Sequence, residues 1–99
     1  MEPRFVFECE LYLWKPEGSW VFVDVPVDVA DVIDDLFPRK AGFGSVPVRV
    51  VMRGFSWETS IFPDKASGSF VLPLKKLARQ QASVDVGDQV EIELTIRLP

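Results

Sequence analysis

No histidine occurs among the 99 residues, and there is a single cysteine and a single tyrosine. The first absence removes the commonest metal ligand and the side chain that usually titrates near neutral pH, so histidine-built metal centres and histidine-dependent triads are excluded. One cysteine, Cys9, cannot form a disulfide within the chain, and the fold is expected to hold without a covalent staple. Positive charge is scarce: 11 Lys and Arg stand against 15 Asp and Glu, and the net charge of −4 opposes nonspecific attraction to phosphate backbones. No apolar run approaches the roughly 20 residues of a membrane helix. The first residues also lack the basic start and apolar stretch of a signal peptide. The expectation is a cytoplasmic protein with no membrane partner, no metal and no cofactor.

What is present is a globular composition, 47% hydrophobic and 26% charged, in a length suited to one domain spanning residues 1–99. Residues 5–13 alternate with period two, which puts Phe5, Phe7, Cys9, Leu11 and Leu13 on one face and Glu8, Glu10 and Tyr12 on the other. Proline and glycine within residues 15–18 are spaced for a turn, and residues 20–25 follow as the second arm of a hairpin. After Pro26, Asp28 is positioned to cap a helix with Val29, Val32, Ile33 and Leu36 as its apolar stripe and Pro38 as its stop. Gly42 and Gly44 lead into a strand over residues 46–53, where Pro47 suits an edge or a strand start, and Gly54 turns the chain. Phe55, Trp57, Thr59 and Ile61 then share one strand face up to Pro63.

Residues 64–68 are loop chemistry, and residues 69–72 form a short strand. Beyond Pro73, the residues Leu74, Leu77 and Ala78 predict a short helix with a narrow apolar stripe. Gly87 occupies the third position of a turn over residues 85–88, where a type II geometry requires positive φ. The final strand, residues 89–98, buries Val90, Ile92, Leu94, Ile96 and Leu98. Six strands and two short helices suit a mainly β fold, a small closed or nearly closed barrel that removes long exposed edges, with a two-layer α+β sandwich as the alternative.

Lys75, Lys76 and Arg79 lie in one sector of the second helix and form the densest positive group of an acidic chain. They are the one nominated binding site, suited to an anionic ligand or an acidic protein surface; the plainer reading is a solvated helix face. Trp14, Trp20 and Trp57 raise the thought of a stacking platform. Strand parity instead places Trp20 with Phe22 and Trp57 with Phe55 and Ile61, so both read as barrel filling, and Trp14 is left as the surface tryptophan. Asp28, Asp31, Asp34 and Asp35 read as helix-start electrostatics, since a helix points them around several faces. Cys9 reads as a buried apolar thiol with no catalytic partner.

The ordered set of segments at residues 5–13, 20–26, 48–50 and 57–63, with Leu72-Pro73-Leu74-Lys75-Lys76, Arg79 and Gly87-Asp88-Gln89-Val90, resembles the bacterial and archaeal family known as domain of unknown function nineteen-oh-five. The resemblance covers nearly the whole chain and implies a small β-barrel; it implies no established chemistry. The stretch from Leu72 to Val90 is also similar to the end of the swapped-hairpin transition-state regulators and antitoxins, whose intertwined dimers bind DNA, although the first strand here carries Glu8 and Glu10 where those proteins place basic residues. The expected function is a noncatalytic binding or interaction module, with a dimeric DNA-binding regulator as the alternative and nucleic acid disfavoured by net charge. An enzyme is a third reading, weakened by the lack of histidine.

Overall fold

A computed structural model describes residues 2–14, 20–37 and 44–97. The two most regular alternations in the sequence become its central strands. In β4 (Val46–Met52) the residues Val46, Val48, Val50 and Met52 are buried, and in β7 (Gln89–Ile96) the residues Val90, Ile92, Leu94 and Ile96 are buried. The two strands pair antiparallel with Val50 opposite Leu94 and Met52 opposite Ile92, so both apolar rows face the same side. β1 (Arg4–Glu10) pairs on the far side of β7. Arg53 and Gly54, both at positive φ (49° and 82°), make the two-residue turn from β4 into β5 (Phe55–Asp64), the backbone geometry that matches the twist of a tight hairpin.

β5 is the strand that carries the fold round a corner. Its part up to Ile61 pairs with β4, and the part from Phe62 to Asp64 pairs with β6 (Ser69–Pro73). β3 (Val21–Asp24) pairs with β6, and the two-residue β2 (Tyr12–Leu13) pairs with β3. The whole sheet has the order β1-β7-β4-β5-β6-β3-β2. It is thus a seven-stranded antiparallel sheet curled into a half-barrel, with α1 (Val27–Leu36) and α2 (Lys76–Ala82) inserted, where the sequence predicts six strands in a closed or nearly closed barrel.

The extra strand has its cause at Leu11. The Leu11 amide donates to the Asp88 carbonyl at 3.0 Å and its carbonyl accepts from the Gly87 amide at 2.8 Å, so the strand expected over residues 5–13 is interrupted there. The piece before Leu11 stays with β7, and the piece after it crosses to β3. The two edges of the sheet are therefore successive segments of one chain. Gly87 has φ +92° and the Asp88 amide donates to the Asp85 carbonyl at 3.0 Å, which is the turn that the sequence predicts.

Four other expectations are corrected. Leu13 lies outside the core, because the break at Leu11 ends the regular alternation. In β3 the buried residues are Val21, Val23 and Val25, and Trp20 and Phe22 face outward. In α1 the residue before the helix is Pro26, with Asp28 in the first turn; Ala30 and Ile33 are buried, and Val32 and Leu36 are exposed. In α2 the buried spacing is Ala78 and Ala82 after the buried Leu74, one turn apart each, and Leu77 is 61% exposed. Pro47 sits at the start of β4 as one of the two suggested places, but in an interior strand, where its carbonyl accepts the Arg97 amide. The turn at 15–18, Pro38, Gly42 and Leu98 lie outside the described residues.

Candidate functional site

The nominated cations are assembled by the way α2 begins and ends. Pro73 finishes β6, and the next amide, of Leu74, donates to the Val21 carbonyl at 2.8 Å while the Leu74 side chain is buried. This ties the start of α2 to the start of β3. At the other end Ser83 adopts the left-handed conformation, with its amide on the Gln80 carbonyl and the Val84 amide on the Arg79 carbonyl. That pair of bonds is a Schellman termination, and Val84, buried in the core, anchors it.

The result is a groove of about 540 Å³ at the point where β3 starts, β6 ends and α2 begins. All three nominated residues, Lys75, Lys76 and Arg79, line it, together with Trp20 and Phe62 and an apolar floor that includes Leu74. The size lies in the range of small-ligand sites, roughly 300–1,000 Å³.

The three cations are not equivalent. Lys75 and Lys76 are exposed and make no ion pair with any described residue. Arg79 is committed to the fold: its Nε donates to the Leu74 carbonyl at 3.1 Å, its Nη1 lies 3.8 Å from Asp85 Oδ1, and its side chain is only 19% exposed. It braces α2 against the loop before β7 and offers the groove one partly buried positive edge. Lys75 and Lys76 supply the exposed charge.

Sequence reasoning assigned Trp20 to the core and passed over Phe62. Trp20 is 60% exposed and Phe62 is 43% exposed. The signal for each was a polar residue of the same parity. Asp24 shares a strand face with Trp20 and Phe22, and Ser56, Glu58 and Ser60 share one with Phe62, which marks both faces as outward. Trp20 continues into a cluster of rings on the outer surface of the β2–β3 pair: Phe22 lies 6.2 Å from Trp20, 6.0 Å from Trp14 and 6.3 Å from Tyr12, centroid to centroid. Trp57 behaves as expected of a filling residue, half-buried against the core and stacked on Phe55 at 5.6 Å.

At the other end of β3 the chemistry reverses. Glu8, Glu10, Asp24, Tyr12 and Cys9 line a pocket of about 460 Å³. The Tyr12 hydroxyl donates to Asp24 Oδ1 at 2.6 Å, and burial together with that bond raises the phenol's pKa. Burial, reinforced by the Asp24 and Glu8 charges, pushes the Cys9 thiol up to about 12. A thiol held protonated in this way is a poor nucleophile and a poor metal ligand. The aspartates of the 85–88 turn are used by the turn itself, with Asp85 Oδ1 accepting the Val86 amide and Asp88 Oδ2 the Asp85 amide. Among the described residues no three Cys, Asp or Glu side chains come together as a metal site would require. No helix among them is long and apolar enough to cross a membrane.

A family model described as Domain of unknown function (DUF1905) matches residues 7–94. No curated protein matches the chain. The family match agrees with the first resemblance drawn from the sequence; it gives no support to the likeness with swapped-hairpin regulators.

Proposed function

The chain belongs to the family described as Domain of unknown function (DUF1905), and we propose that it is a noncatalytic binding module taking an anionic group in the groove between β3, β6 and α2. One observation carries this reading: two exposed lysines that pair with no described residue and a braced arginine converge on a concave surface whose other described walls are largely apolar and aromatic. Among the described residues no carboxylate or thiol lines that groove. Besides the cations, its described polar side-chain groups are the Thr59 hydroxyl and the Trp20 indole N–H, a composition suited to recognition and poorly suited to proton transfer. Because the cations sit at the surface, the interaction should weaken as salt rises.

The test is a titration of the labelled chain with inorganic phosphate and pyrophosphate at low salt, followed by chemical-shift changes. Shifts centred on residues 20–21 and 74–79 that vanish in Lys75→Ala/Lys76→Ala support the reading. Absence of any saturable shift, or shifts elsewhere that survive the double substitution, would remove it. Salt-sensitive retention of duplex DNA by a dimer, lost in the same variant, would favour the regulator alternative.

A further inference from the structure

We infer that the anionic group taken by this groove is a phosphate carried on a flat heteroaromatic ring: the site is shaped for a nucleotide, free or at the end of a single strand. The inference rests on the anion-binding reading above and adds the ring. Charge alone would be met by two lysines on any exposed surface. Here the cations face side chains that water does not favour, Trp20 and Phe62, which the fold leaves exposed in the same concavity.

Three features fit that ligand class. The first is the pairing of an aromatic wall with a cationic rim, since a base offers a π face for Trp20 or Phe62 while its phosphate is met by ammonium groups. The second is size. A groove of about 540 Å³ holds one nucleotide-sized body and is small for a folded partner's surface. The third is the distribution of charge along β3. The groove at the Trp20 end is cationic, while the pocket at the Asp24 end carries Glu8, Glu10 and Asp24. A long polyanion crossing both would meet repulsion at the second, so the favourable contact is confined to one or two phosphates. The ring cluster around Phe22 begins at Trp20 and gives a following base a surface before the acidic end is reached.

Arg79 has a distinct part in this arrangement. Its Nε is taken by the Leu74 carbonyl, so the guanidinium is fixed in the groove wall and positions the phosphate by one edge, with Lys75 and Lys76 closing over it.

The experiment uses the full chain and four probes: adenosine 5′-monophosphate, ribose 5-phosphate, adenosine, and a 5′-phosphorylated tetrathymidylate. Binding is followed by chemical shifts and tryptophan fluorescence. The monophosphate is expected to bind more tightly than either half of itself. Trp20→Ala should weaken it roughly 5- to 150-fold, the fold equivalent of one lost base–aromatic stack, and leave ribose 5-phosphate unchanged. Trp20→Phe should restore most of the affinity, and an unchanged melting midpoint in both variants excludes misfolding as the cause. Lys75→Ala/Lys76→Ala should weaken the monophosphate and the sugar phosphate alike. Tighter binding of the tetranucleotide, with shifts spreading to Phe22 and Trp14, assigns a strand end, and equal binding assigns the free nucleotide; either supports the proposal. Equal affinity for ribose 5-phosphate and the monophosphate, or indifference to Trp20→Ala, overturns the nucleotide while leaving the anion site standing. Preference for an acidic peptide over every nucleotide probe overturns it as well. Failure of all phosphates to bind removes both readings.

Discussion

The two halves of the curled sheet have similar inner faces and opposite outer ones. In the half built from β1, β7, β4 and the first part of β5, the outward positions hold cross-strand ion pairs: Arg49 with Glu58 at 3.4 Å, Arg97 with the same Glu58 at 3.3 Å, and Arg4 with Glu93 at 3.3 Å. In the half built from the end of β5, β6, β3 and β2, the outward positions hold rings, Tyr12, Phe22, Trp20 and Phe62. Exposed ion pairs contribute about 0–1 kcal/mol each, so the first surface adds little stability and is at home in water. The second exposes apolar area that folding has not used, and it does so beside lysines that pair with no described residue. Both halves bury an apolar inner face, whereas the described rings crowd the outer face of one, and exposed apolar patches of that kind mark interaction sites.

The comparison makes the core equal and the surfaces unequal, and substitutions can strain each part of that statement. The largest effect is expected in the regular half: Ile92→Ala removes a fully buried side chain and should cost about 2–5 kcal/mol in chemical denaturation. A smaller loss would mean that the inner face there packs loosely. At the corner where the halves meet, Gly87→Val forces a β-branched residue to φ near +92°, with strain of order 1–3 kcal/mol read as a lower melting midpoint. The added Cβ meets no atom within 4 Å, so the effect isolates backbone conformation from steric crowding.

Arg79→Ala should come next, at about 1 kcal/mol, because it breaks a partly exposed charged hydrogen bond to Leu74. Lys75→Ala/Lys76→Ala should leave the midpoint within experimental error, and equal behaviour of the three would contradict their different surroundings. Ser83→Gly should raise the midpoint slightly, since relief of a left-handed penalty of about 1–2 kcal/mol outweighs the roughly 0.4–1 kcal/mol of added unfolded-state freedom. The smallest change belongs to the other outer face: Trp20→Ala should shift stability by no more than about 0.5 kcal/mol. A loss of several kcal/mol would show that the rings are structural and would dissolve the contrast between the faces.

Where polar and apolar residues alternate, the sequence was easily read. In β7 Val90, Ile92, Leu94 and Ile96 are buried as expected, in β5 Ile61 is buried with Trp57 packed against the core, and the glycines at 54 and 87 mark turns that need positive φ. Legibility failed where every residue is apolar. From Trp20 to Val25 both faces of the strand are hydrophobic until Asp24, and bulk suggested that the rings were buried when the valines are. The narrow interior beneath α2 explains the same error at Leu77: alanines at 78 and 82 let the helix approach closely, and the larger neighbour is displaced to solvent. The strand break at Leu11 has no local signal, because its cause is a turn nearly at the other end of the chain. The cations were legible as a cluster. Their division into one brace and two free charges depends on the Leu74 carbonyl and Asp85, which only the folded chain brings to Arg79.

The Leu11 clasp also fixes an order of events. Residues of β4 and β5 meet across a two-residue turn and can pair as soon as both are present, whereas β1 finds its partner only in β7, Glu10 opposite Gln89. During synthesis β1 therefore waits for β7, its alternating apolar row without that partner until β7 has been made. Pairing of that kind closes the largest loop available and belongs to the slow, late phase of folding. Glu8 and Glu10, exposed on β1, put charge on that strand, a device that disfavours edge-to-edge pairing with other chains while a strand is uncovered.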